Sequence, residues 1–343
     1  MTNTEVTNSS KTVAVTGATG FIGTYIVRDL LEKNYKVLAL VRDPNNQEKL
    51  KTLKSFDKDQ RLSFSGGELE NVDYETVLNG VDYVIHTASP FIYTAEDVQK
   101  EIIDPAINGT VAVLKAASKI KSIKKVIVTS SGLAVVDFTN TEKTEYNDDD
   151  WASPPISNPY AYSKVEAEKA AWEFVKENEK DESANHFKLV VMNPTFILGA
   201  ALSTLINSSV GVIIKQLFEA VPPPPISIGI VNVQDVSTAH ILALESENAD
   251  NKRITINQSV VTFKNFIEVA MKQFPQFKYN TNIVNLPEEP HSYSLRSNRL
   301  IDELGFKSFV SLEETIKTMI EHLLSNGLIK PEEWFFFIFR IIK

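Results

Sequence analysis

Tyr160-Ala161-Tyr162-Ser163-Lys164 sets a phenol and an ammonium four residues apart, on one face of a helix and within mutual reach. That pair suits the movement of a proton to or from an oxygen atom. A free tyrosine, with a pKa of about 10, is a poor acid at neutral pH. A neighbouring ammonium favours the phenolate, so Lys164 makes Tyr160 a proton donor to a carbonyl oxygen and a base in the reverse direction. Tyr162 is only two residues from Lys164 and is expected to point elsewhere. Taken alone, such a pair arises by chance on many helices. Thr129-Ser130-Ser131, at the end of the preceding apolar run, adds a hydroxyl that can donate to an oxygen on which negative charge develops. Ser131 is assigned that role, with Ser130 as the alternative.

Protonating a carbonyl oxygen calls for a hydride at the carbon, and the N-terminal region carries a site for a hydride carrier. Val15-Thr16-Gly17-Ala18-Thr19-Gly20-Phe21-Ile22-Gly23 places glycines at a G-x-x-G-x-x-G spacing between an apolar run and a helical one. Gly17 allows a sharp turn, Gly20 lets backbone N–H groups approach a pyrophosphate, and Gly23 permits close packing of helix on strand. The helix start adds partial positive charge. Thr19, Phe21 and Ile22 are expected against the cofactor with the glycines. About 20 residues further on, the residue leaving the second strand selects the ribose: a carboxylate accepts from a 2′-hydroxyl, whereas an arginine pairs with a 2′-phosphate. Arg42 comes first, favouring NADP(H), and Asp43 leaves NAD(H) as the alternative. Glu68 and Leu69 follow the weak strand Leu62–Phe64, where the acid can reach an adenine amine. Thr87-Ala88-Ser89 ends the run Val81–His86 in small residues that let ribose and phosphate lie close. Thr129, Tyr160 and Lys164 are also expected to touch the cofactor. His86 ends a strand with no metal partner nearby and is read as structural.

The elements that must position these groups are legible as well. Val13–Thr16, Val37–Val41, Val81–His86, Val126–Thr129 and Leu189–Met192 are near-continuous apolar strands, alternating with helical stretches at Tyr25–Glu32, Val98–Lys119 and Tyr160–Asn178. That alternation predicts an α/β fold, a doubly wound parallel Rossmann sheet covered on both faces. Beyond Pro194 the pattern changes. Four prolines at 222–225 demand an extended loop, Val231–Val233 reads as a short strand and Gln234–Glu245 as a helix. Amphipathic helices at Thr262–Phe274 and Leu312–Leu324 complete a smaller, mixed C-terminal substrate-binding lobe. The expected division is a disordered lead-in at 1–10, a nucleotide-binding domain at 11–195 to which 231–254 return, a lobe at 196–230 and 255–330, and an aromatic tail at 331–343. The acidic run Asp148–Asp150 is expected to be a solvated loop.

Composition narrows the classes. A net charge of −9 over 343 residues argues against nucleic acid and against an anionic membrane surface. The absence of cysteine removes thiolate metal sites and cysteine nucleophiles, and no metal site is expected; it also suits a reducing, cytoplasmic compartment. No apolar run approaches the roughly 20 residues needed to span a bilayer. The expected partner is a small carbonyl compound, and the chain is read as a monomer or homodimer.

The stretches VTGATGFIG (15–23), VRDP (41–44), VIHTASPF (84–91), VTSSG (128–132), YAYSK (160–164), NPTFILG (193–199) and VNVQDVSTAH (231–240) resemble, in order and over nearly the whole chain, the extended short-chain dehydrogenases/reductases. Within them the similarity is to the dihydroflavonol reductases and fungal ketone (methylglyoxal) reductases. The resemblance implies that Ser131, Tyr160 and Lys164 form the catalytic triad. It also implies that Pro194 and Ile197 flank the nicotinamide, and that Phe91 walls the substrate pocket. Asn158-Pro159-Tyr160-Ala161-Tyr162 keeps only part of the Asn-Trp-Tyr-Cys-Tyr pattern of plant cinnamoyl-CoA reductases, which weakens that reading. The rival readings are a steroid or sugar-nucleotide dehydrogenase or epimerase with the same Tyr-Lys pair, and a non-catalytic dinucleotide sensor. A sensor of that kind commonly loses the pair that this chain keeps.

Overall fold

A computed structural model describes residues 10–67, 72–89, 95–203, 208–218, 226–279 and 292–330. In the first half of the chain, β1 (Thr12–Thr16), α1 (Phe21–Glu32), β2 (Lys36–Val41), α2 (Gln47–Phe56), β3 (Leu62–Gly66), α3 (Tyr74–Val77), β4 (Tyr83–His86), α4 (Asp104–Lys119) and β5 (Lys125–Thr129) alternate strictly. They are followed by β6 (Glu145–Tyr146), α5 (Pro159–Asn178), β7 (Lys188–Pro194), β8 (Phe196–Leu198), α6 (Ser208–Phe218), β9 (Ser227–Asn232), α7 (Val233–Glu245) and β10 (Lys252–Ile256). The chain continues through β11 (Ser259–Thr262), α8 (Phe263–Gln273), β12 (Ser294–Leu295) and α9 (Leu312–Ser325).

Seven strands form one parallel sheet in the order β10-β7-β5-β4-β1-β2-β3. The strands are apolar on both faces because both are covered. Val13 and Val15 pack toward α1 and α7, whereas Ala14 between them packs toward α4 and α5. Ile127 and its neighbours Val126 and Val128 divide the same way. The order reverses between β1 and β4, and a doubly wound sheet opens its ligand crevice at that point, beyond the carboxyl ends of the strands.

A three-stranded sheet, β11-β9-β8, packs with α6, α8 and α9 around a second core containing Phe266, Ile267, Ile316 and Met319. A third sheet is a two-stranded parallel ladder, β12-β6, tying the segment between β5 and α5 to the C-terminal part of the chain. No sequence period announced it, since two residues per strand are too few to carry one. Three local expectations are revised. Val233 begins α7 rather than ending a strand, because Asn232 caps that helix by accepting from Gln234 N–H at 2.9 Å. The helix expected from Val98 opens with a wide π-type turn over Gln99–Ile103, before Pro105 settles α4. The acidic run is not a solvated loop: Asp148 is 2% exposed and accepts from the backbone of Thr255 (2.6 Å) and Arg299 (3.2 Å). Asp149 alone of the three points outward, paired with Arg299 at 2.5 Å. The proline run and the aromatic tail lie outside the described residues.

Candidate active site

Gly17 takes φ +66°, and a Cβ there would stand 2.8 Å from Thr87 Oγ1 and 3.0 Å from Ala88 N, so the β1–α1 turn and the tip of β4 touch only through glycine. At Gly23 a Cβ would meet the Gly17 carbonyl oxygen at 2.2 Å, which is why the first turn of α1 can sit on the loop. Gly20 caps α1 without any side-chain hydrogen bond, and the first turn holds no acid. The leading N–H groups of α1 therefore face a site suited to phosphate, with the helix dipole behind them.

A cleft of about 1220 Å³ runs from this turn along the carboxyl edge of the sheet. It is lined by Gly17, Thr19, Gly20, Phe21, Ile22 and Gly23, by Arg42, and by Thr87, Ala88 and Ser89. Thr129, Ser131, Tyr160, Lys164, Pro194 and Ile197 line it as well. Glu68, Leu69 and Phe91 lie outside the described residues. Asp43, Asn46 and Lys49 join Arg42 at the far end. Sequence spacing had not singled out Leu133, Val136, Phe138, Phe196, Ile228 or Tyr293, which form an apolar wall. Tyr293 is held there by the Gly229 N–H, which donates to its hydroxyl at 2.9 Å, and by edge-on packing against Phe138 and Tyr146. Nothing in the local sequence around Tyr293 marks it, because β12-β6 pairing brings it in from far along the chain.

Asn158 and Pro159 start α5 as N-cap and first helical residue, which puts Tyr160 in the opening turn at the mouth of the cleft. Lys164 follows on the same face, its Nζ 5.5 Å from the centre of the Tyr160 ring. The ammonium is buried, and among the described residues no carboxylate or hydrogen-bond acceptor pairs with it. Burial pulls its pKa from 10.5 down to about 8. Of the tyrosines lining the cleft, Tyr74 and Tyr293 are pushed up to about 12 by burial. His86 is buried and bonded through Nδ1 to Thr16 Oγ1 at 2.8 Å. Burial, then the Lys164 charge, lowers its pKa to about 4 and keeps it neutral.

The two serines differ in what their protons do. Ser130 also lines the cleft but donates its hydroxyl proton to Glu168 Oε2 at 2.7 Å. Ser131 Oγ accepts from Leu133 N–H at 3.2 Å, which leaves its own proton without an acceptor among the described residues. Thr129 is fixed by a histidine that sequence reasoning had not used. His240 Nδ1 lies 2.7 Å from the Val236 carbonyl, which can only accept, so Nδ1 carries the proton. Burial lowers the His240 pKa to about 4, leaving Nε2 to accept from Thr129 at 2.9 Å. Thr129 thus turns only oxygen lone pairs toward the cleft.

A parallel sheet with a glycine-cradled helix start at its switch point places the chain among dinucleotide-binding proteins of the short-chain dehydrogenase/reductase type. Residues 14–277 match the 3-beta hydroxysteroid dehydrogenase/isomerase family, and the chain belongs to it. A cinnamoyl-CoA reductase of Medicago truncatula is 34% identical over 333 residues, covering 93% of this chain and 98% of the relative. An anthocyanidin reductase of Vitis vinifera is 33% identical over 341 residues, covering 93% and 97%. Among solved structures, yeast methylglyoxal/isovaleraldehyde reductase complexed with NADPH superposes with a TM-score of 0.81 at 27% identity, covering 93% of this chain and 100% of that one.

Proposed function

We propose that Tyr160, Lys164 and Ser131 are the reacting groups of this chain and that the glycine-lined end of the cleft holds the dinucleotide. The chain is an NADP(H)-dependent oxidoreductase acting on carbonyl groups, reducing an aldehyde or ketone to an alcohol and running in reverse. The observation that carries the residue assignment is the buried ammonium of Lys164, 5.5 Å from the centre of the Tyr160 ring, in the same cleft as the glycine turn.

The site fits the cofactor on its own geometry. Side chains at Gly17 or Gly23 would fill the cradle, the start of α1 is open, and the cations Arg42 and Lys49 line the same cleft, a pair suited to a 2′-phosphate. When bound, NADPH supplies the hydride. Lys164 holds the ribose hydroxyls and stabilises the phenolate of Tyr160. Tyr160 gives its proton to the carbonyl oxygen as charge builds there, and Ser131 donates a hydrogen bond that orients the same oxygen. Pro194 and Ile197 exclude water beside the reacting carbon. Residues 196–230 and 255–330 supply much of the substrate wall through Phe196, Ile228 and Tyr293. The segment after β5 adds Leu133, Val136 and Phe138. This apolar lining favours carbonyl compounds with an aliphatic or aromatic body, such as the isovaleraldehyde in the name of the yeast relative.

Among the described residues no helix is long and apolar enough to cross a membrane. A cytoplasmic location, supported by the lack of cysteine, and a monomeric or homodimeric state belong to this proposal. Tyr160→Phe tests its centre. NADPH oxidation with isovaleraldehyde should fall to background while NADPH binding, read by fluorescence titration, stays near wild type. Retained turnover would remove Tyr160 from its role. A sugar-nucleotide epimerase would instead convert substrate with no net consumption of NADPH.

A further inference from the structure

Glu168 lies one turn beyond Lys164, on the face of α5 that carries Tyr160, and is 1% exposed. Its two oxygens take four donors. Oε2 accepts from the Ser130 hydroxyl at 2.7 Å and the Asn193 amide at 2.8 Å. Oε1 accepts from Arg253 Nε at 2.5 Å and the Trp172 indole at 3.4 Å. Arg253, buried on β10, gives three of its remaining N–H groups to the carbonyls of Ala134 (3.1 Å), Asp148 (3.2 Å) and Asp150, with its guanidinium carbon 3.8 Å from the centre of the Trp151 ring. Asn193 closes the circuit, its amide also donating to the Ser131 carbonyl at 3.2 Å.

One carboxylate thus binds the end of β5, the end of β7, the helix of Tyr160 and, through Arg253, the loop leading to the apolar wall. Glu168, Asn193 and Arg253 do not themselves line the cleft. A buried ion pair is weak evidence of stabilisation, since apolar replacements of equal volume often serve as well. Directional bonds do something packing does not: they set distance and orientation, and a proton transfer is sensitive to both.

We infer that Glu168 is a positioning residue that sets Ser131 relative to Tyr160 by holding Ser130 and Asn193. The inference rests on the roles proposed above for Tyr160 and Ser131. Glu168→Gln keeps the volume but turns an amide N–H₂ toward donors; Ser130→Ala removes one arm only. Steady-state kinetics with isovaleraldehyde at saturating NADPH, NADPH affinity by fluorescence and near-UV circular dichroism test both variants. Each should lower kcat by about 10- to 100-fold with NADPH affinity and the dichroism spectrum near wild type. Ser130→Ala should add little in the Glu168→Gln background, because the two share one path.

Folded variants with wild-type kcat overturn the inference. So does an inactive Ser130→Ala beside an unimpaired Glu168→Gln, which puts the reacting hydroxyl on Ser130. If Glu168→Gln does not fold, Ser130→Ala and Ser131→Ala decide together: a partial kcat loss in the first beside near-complete loss in the second supports positioning. Activity surviving in Tyr160→Phe refutes the functional reading instead. An inactive Tyr160→Phe with unimpaired Ser130→Ala and Glu168→Gln refutes only the positioning.

Discussion

Lys164→Met should inactivate the enzyme and stabilise its ligand-free fold at the same time. The methionine keeps an apolar stem of similar length and removes an ammonium that no described residue neutralises. Burial lowers the lysine pKa from 10.5 to about 8. That drop corresponds to about 3 kcal/mol by which the fold disfavours the charged form. For a chain of this length, the entropy of unfolding turns about 3 kcal/mol into roughly 4 °C of melting temperature. The sign with pH follows from proton counting. Below about pH 8 both folded and unfolded wild type hold the proton, and the full cost is present. Between about 8 and 10.5 the unfolded chain keeps a proton the fold has released, so wild type gains stability as pH rises and the gap to the variant closes. Thermal shift of ligand-free protein from pH 7 to 10 reads this directly. Wild-type kcat/KM for reduction should also fall above about pH 8, as Tyr160 loses its neighbouring charge. A Met variant that melts below wild type at pH 7, or a gap that does not narrow at alkaline pH, would refute the desolvated-lysine account. Stabilisation with loss of function is the trade expected where a site holds a charge the fold would otherwise reject.

Arg42→Ala should weaken NADPH binding by about 10- to 100-fold, the worth of a charge-assisted contact to phosphate, and leave NADH binding far less changed; titration of both dinucleotides checks it, and equal losses would separate Arg42 from the 2′-phosphate. Gly23→Ala puts a Cβ 2.2 Å from the Gly17 carbonyl oxygen. The turn must open, so NADPH should no longer raise the melting temperature, and retained thermal protection would contradict the cradle.

Much of the molecule is written locally. A strand, a glycine turn and a helix start are contiguous in Val13–Gly23, and Tyr160 and Lys164 share a helix face because 3.6 residues make a turn. Apolar strands alternating with helices similarly predict the parallel sheet that is observed. What depends on distant partners was not legible. Three aspartates in a row look solvated until Thr255 and Arg299 arrive to bury the first of them. Ser130 and Ser131 are indistinguishable as letters, and they separate only when Glu168 accepts the proton of one hydroxyl. Tyr293 reaches the wall through a two-residue ladder, and Arg253 reaches Glu168 across the sheet edge. Periodicity records which face of an element is buried; which polar group waits on the other side is decided by tertiary contacts, because a buried hydrogen bond requires its partner in place and sequence adjacency does not supply it.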